Sequence, residues 1–138
     1  MTDAELEELV QRFNACALSR PEWTHAAHLT VGLWHVSRYG RQDALARLRA
    51  GITRLNESNG VVNSATSGYH ETVTRAYVDL LADFAARHAE KTPAERVTAL
   101  LADPLADKQA LLRFYSRPLL TSSAARLDWV KPDLAPLP

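Results

Sequence analysis

A single cysteine, Cys16, occurs in 138 residues, so an internal disulfide is excluded and the chain must cohere by burial alone. No apolar stretch reaches the roughly twenty residues that a membrane-spanning helix requires. Charge of one sign is also missing. Sixteen Lys and Arg are matched by sixteen Asp and Glu, and the basic residues are scattered, which leaves no phosphate-neutralising stripe and argues against nucleic acid as a partner. The two-residue apolar alternation and β-branched enrichment of a strand are lacking as well. The opening residues are acidic and do not read as a secretory signal, so a cytoplasmic location is expected.

What is present is helical periodicity almost throughout. It predicts an all-α fold: residues 1–138 form a single helical domain, a compact bundle of about five to six helices with an extended, Pro-rich C-terminal tail. Leu6, Leu9, Val10, Phe13 and Cys16 stripe a first helix over about 3–17, with Cys16 as a small buried hydrophobe. Ser19, Pro21 and Glu22 have capping-box spacing, so a second helix starts near 20, or restarts at Thr24, and ends by Gly40. Leu45, Leu48, Ile52 and Leu55 mark a third over roughly 41–57. Turn formers follow from Asn56 to Gly68, a long link for a helical bundle and a candidate lid.

A fourth helix, about 66–89, is expected to open with Thr66 or Ser67 as N-cap and to pack through Val73, Tyr77, Leu80, Leu81 and Phe84. Thr92, Pro93 and Glu95 form a second capping box for a fifth helix ending near Ala102, and a sixth is expected over about 106–115. From about 117 onward Pro118, Pro132, Pro136 and Pro138 oppose regular helix. A short turn near Ser122–Leu127 and an extended tail anchored by Trp129 are expected there, packed on the bundle.

Four of the five histidines lie in two stretches, Trp23-Thr24-His25-Ala26-Ala27-His28-Leu29 through His35, and Tyr69-His70-Glu71-Thr72. At 100° per residue, His25, His28, Gly32 and His35 fall within a sector of roughly 80°. An i, i+3 imidazole pair can share one ion, and imidazoles joined by a carboxylate suit zinc or iron better than calcium or magnesium. His25, His28 and His70 are therefore the candidate metal ligands, the cofactor a divalent zinc or iron. Glu71 is the candidate general base or further ligand, and Tyr77 a catalytic phenol one face-turn from His70. Trp34, Tyr69 and Thr74 are candidate substrate-binding residues. Each has a plainer reading: Gly32 as a close-packing glycine, His35 as a hydrogen-bonded core residue, Glu71 as a helix N-terminal carboxylate, and His88 as a cation-preferring helix end.

The two motifs and the closing Trp129-Val130-Lys131-Pro132-Asp133-Leu134 resemble an uncharacterised family of small bacterial helical proteins that pair aromatic-Thr-His-x-x-His-Leu with Tyr-His-Glu-Thr. That resemblance implies a shared site at His25, His28, His70 and Glu71 and names no reaction. The leading expectation is a small metal-dependent enzyme, a hydrolase, lyase or oxygenase, acting on a small-molecule substrate without nucleic acid or membrane, with a homodimer left open. Its rivals are a metal-free His/Glu enzyme or binding module and a helical protein-interaction domain.

Overall fold

In the computed structural model, which describes residues 1–138, five longer helices are followed by short turns. They are α1 (Asp3–Asn14), α2 (His25–Tyr39), α3 (Arg41–Ser58), α4 (Glu71–Arg87) and α5 (Pro93–Leu101). Two 3-10 turns, Pro104–Ala106 and Ala110–Arg113, precede the short helices α6 (Arg117–Leu120) and α7 (Ser123–Leu127). The all-α reading holds, and the sequence from Asp128 to Pro138 forms no helix. No helix is long and apolar enough to cross a membrane.

Helix α2 is the centre of the bundle. It packs against α4, α3, α1 and α5, and Leu29, Val31, Leu33 and Val36 are all buried. Around it Phe13, Leu55, Leu81, Phe84 and Leu100 complete one continuous core, each such side chain stabilising the fold by about 1.5–3 kcal/mol relative to exposure. Two glycines permit the close approaches. A Cβ on Gly32 would lie 2.8 Å from Leu81 Cδ1 on α4, and one on Gly51 would lie 2.5 Å from the Phe13 ring on α1.

Several boundaries differ from those the sequence predicts, each for a local reason. Helix α1 stops at Asn14 because Cys16 is left-handed, with φ 55. The Cys16 and Ala17 N–H groups return to the Phe13 and Arg12 carbonyls, a closing turn that usually carries glycine. Cys16 is consequently half-buried. Half of the Ser19–Glu22 capping box forms: Glu22 Oε1 accepts from the Ser19 N–H and hydroxyl at 2.9 Å each, but the Glu22 N–H goes to the Ser19 carbonyl at 3.1 Å, which closes only a single turn, and α2 starts after Thr24. The expected sixth helix is broken into the two 3-10 turns.

Helix α4 begins at Glu71, not near 66, and neither Thr66 nor Ser67 caps it. His70 does: its Nδ1 accepts from the Val73 N–H at 3.1 Å, and neutral imidazole thereby satisfies one of the orphan donors of the first turn. The link before it, 59–70, is pinned in place. Asn63 Oδ1 accepts from Asn56 Nδ2 and from the Tyr69 N–H, and Asn63 Nδ2 donates to the Thr53 carbonyl at 3.1 Å. Arg126 donates to the Gly68 carbonyl at 2.6 Å. None of its residues lines the cavity described below, so it is a fastening between α3, α4 and α7 where a lid was expected.

The tail is held by buried hydroxyls. Thr72, fully buried, donates to the Asp128 carbonyl at 2.9 Å and accepts from the Val130 N–H at 3.1 Å. Tyr115 donates to the Val130 carbonyl at 2.8 Å. Trp129 lies under Arg75, whose guanidinium carbon is 4.2 Å from the ring centre. It anchors the tail as its position suggests.

Candidate functional site

A cavity of about 260 Å³ opens between α2, α3 and α4, close to the lower end of small-molecule pocket sizes, about 300–1,000 Å³. From α2 come His25, His28, Leu29 and Gly32; from α3, Leu48 and Ile52; from α4, Val73, Thr74, Tyr77 and Leu81. The wall is mostly aliphatic and carries no Asp, Glu, Lys or Arg. Its polar groups are two imidazoles, a phenol and a threonine hydroxyl.

His28 is the best defined of these. Its Nδ1 lies 2.7 Å from the Thr24 carbonyl; a carbonyl only accepts, so Nδ1 carries the proton and Nε2 keeps a lone pair. No protein group bonds that Nε2. Trp23 lies tilted against the imidazole with ring centroids 3.8 Å apart, and is itself backed by Phe13, stacked on it at 5.2 Å. The ring is thus clamped on one face and by one nitrogen. By surface area His28 is exposed, yet protein atoms surround it closely enough that burial pushes its pKa down, against the opposing pull of the Thr24 carbonyl. Both observations suit a group lining a concavity, and together they mean a neutral, accessible base at pH 7.

His25, one turn earlier, is neutral for the same reason: burial lowers its pKa, helped by Lys108 and opposed by the Ala106 carbonyl and Asp107. Its Nε2 is buried without a hydrogen-bond partner, an arrangement that costs about 1–3 kcal/mol unless a ligand or water supplies one. Tyr77 faces it edge-on at 6.0 Å. Burial and Asp107 push the Tyr77 phenol up to about 12, so it is a hydrogen-bond donor throughout the physiological range. Thr74 lines the cavity too, although its hydroxyl donates to the His70 carbonyl at 2.9 Å.

The remaining candidates lie elsewhere, and the expected convergence with the Tyr-His-Glu turn does not occur. His70 caps α4 through Nδ1, while its Nε2 is 2.8 Å from the Leu120 carbonyl; both nitrogens are committed. Burial lowers its pKa, partly offset by Leu120. Glu71 is clamped by Arg49 through two bonds of 2.9 and 2.7 Å and accepts from the Tyr69 hydroxyl at 2.8 Å. The Arg49 bonds depress its pKa, the opposite of a base poised near neutrality. Tyr69, its phenol raised by burial, belongs to that clamp and not to the cavity wall. Trp34 is on another face of α2, where its Nε1 donates to Glu7 at 3.1 Å.

His35 takes its plainer reading. It is 2 % exposed, its Nδ1 is 2.8 Å from the Val31 carbonyl, and Phe13, Trp34 and Tyr39 surround it. His88 ends α4 with its Nδ1 2.9 Å from the Phe84 carbonyl.

The donors therefore do not make the expected three-ligand zinc or iron centre. No group of three His, Cys, Asp or Glu side chains is placed to hold one ion, since only His25 and His28 share the cavity and His70 would have to surrender both its bonds to join them. Trp23, which the sequence offers as one of several aromatics able to wall a pocket beside the histidines, is the plate behind His28, while Leu48 and Ile52 read from the sequence as core only. The i, i+4 spacing of the last two signals a buried face and cannot tell a packed face from a cavity wall. Comparison of the chain with known protein families, curated proteins and solved structures finds no match.

Proposed function

We propose that this protein binds a small organic molecule with an apolar body in the cavity between α2, α3 and α4, and that His28 and Tyr77 exchange protons with it. The observation that carries this reading is the fixed tautomer of His28: a proton-bearing Nδ1 on the Thr24 carbonyl leaves an unpartnered Nε2 at an aliphatic cavity. A neutral imidazole accepts a proton there, and a phenol that stays protonated donates one from α4. These are the two ends of an acid/base reaction on a substrate positioned between them. Uncharged walls select an uncharged reacting portion, because a buried charge would lack a counter-ion. The buried Nε2 of His25 is a third polar contact for the same molecule. A reducing, cytoplasmic setting suits the free Cys16.

Three measurements test this. Nitrogen-15 NMR at neutral pH should show His28 as the Nδ1–H tautomer, titrating below the ordinary value of about 6.5; an Nε2–H tautomer defeats the base role. Titration with octan-1-ol, followed by the emission of Trp23 and its neighbours, should show one saturable site that an Ile52→Trp variant, still helical by circular dichroism, no longer has. Stoichiometric zinc or iron in untagged protein, lost in His28→Ala, would overturn the metal-free reading.

A further inference from the structure

His25, Val73 and Tyr77 have a second side. Beyond them a separate concavity of about 230 Å³ is walled in part by Lys108, Gln109, Arg117 and Thr121, so the same three residues stand between an aliphatic chamber and a cationic one. Neither Lys108 nor Arg117 takes part in any of the ion pairs of the molecule. No carboxylate lines this concavity; Asp107, which acts on both His25 and Tyr77, lies outside its wall with its Oδ1 turned to the Gln109 N–H at 2.7 Å. The chamber wall thus carries two cations and no anion, and an anion entering it meets a net attraction.

The partition itself is loosely held. The Tyr77 hydroxyl makes no hydrogen bond within the protein, and His25 Nε2 is the buried, partnerless atom already described. Turning Tyr77 breaks no polar bond and costs packing alone, and turning His25 gives up only its interaction with the Ala106 carbonyl, whereas Tyr69, His35 and His70 are all tied. On the reading of the first cavity as a binding site, we infer that the two concavities are halves of one site whose ligand is an amphiphilic carboxylate. Its hydrocarbon part fills the chamber beside His28, its chain passes between His25 and Tyr77, and its carboxylate lies between Lys108 and Arg117.

The test compares octanoate with octan-1-ol, two probes of like chain and different head, on the full chain and on a Lys108→Gln/Arg117→Gln double variant. Both side chains are exposed and unpaired, so the variant should keep the fold. Octanoate is expected to bind the natural protein at least about tenfold more tightly than the alcohol, the two charge-assisted contacts supplying the difference. The double variant should lose that preference and bind the alcohol unchanged, and inorganic phosphate alone should not displace octanoate. Equal affinity for the two probes, a preference that survives the double substitution, or displacement by phosphate overturns the two-chamber ligand and leaves the first cavity as a binding site. Failure of both probes to bind the natural protein overturns the two readings together.

Discussion

At the scale of single residues, the second motif is an architectural device. His70 serves α4 as serine or asparagine commonly serves a helix, through a side-chain acceptor on the first turn, and ties that turn to the Leu120 carbonyl. His70→Ala should cost about 1 kcal/mol or more in urea unfolding, for the lost cap and an unpaired carbonyl, while His70→Asn should recover the cap. Neither should alter octan-1-ol affinity, and a large loss in folded His70→Asn would return the residue to the site. Glu71→Gln makes a parallel case. With the Glu71 side chain 13 % exposed and that of Arg49 46 % exposed, the pair spans surface and interior, and its replacement should reduce stability by about 1 kcal/mol with ligand binding intact.

At the scale of helices, the two close-packing glycines should respond differently to the same change. Alanine gains about 1 kcal/mol of helix propensity over glycine. At Gly51 the new methyl meets a buried aromatic ring that cannot bend, so overpacking of about 1–3 kcal/mol outweighs that gain. At Gly32 it meets only the tip of Leu81, a rotatable group beside a cavity, and stability should change little. The cavity narrows instead. Gly51→Ala should thus lower the unfolding midpoint with affinity retained, and Gly32→Ala should weaken octan-1-ol binding with the midpoint nearly unchanged; the reverse pattern would mean that the cavity is not where the ligand sits.

For the whole molecule, four of the five histidines have pKa values lowered chiefly by burial: His25, His28, His35 and His70. A depressed folded value means that the unfolded chain takes up protons first. Their contribution to stability is complete above the unfolded value of about 6.5 and is lost as pH falls through the folded values. The urea midpoint should accordingly be lower at about pH 5 than at about pH 7.5, before the lowered carboxylate of Glu71 begins to protonate. Equal midpoints would contradict the burial of these rings. The tail belongs to the same cooperative unit, since Thr72 bonds it from inside α4. Thr72→Val, similar in shape, leaves the Asp128 carbonyl and Val130 N–H unpaired and should cost about 1–3 kcal/mol.

The amino-acid order by itself determined the helical class, the faces that Leu6, Val10 and Phe13 or Leu81 and Phe84 bury, the capping box at Thr92, and the sharing of one face by His25, His28 and Gly32. These follow from periodicity and local hydrogen bonding, which operate within a few residues along the chain. Only the tertiary structure decided what that face meets. A 100° step separates His70 from Glu71 on any helix, but whether either reaches a cavity depends on partners far away in sequence: the Leu120 carbonyl claims one and Arg49 claims the other. Tyr77 was legible because it lies two turns inside α4, where helix geometry carries over. His70 and Glu71 were not, because they occupy the helix end, where unsatisfied backbone donors and long-range charge compete for the same side chains.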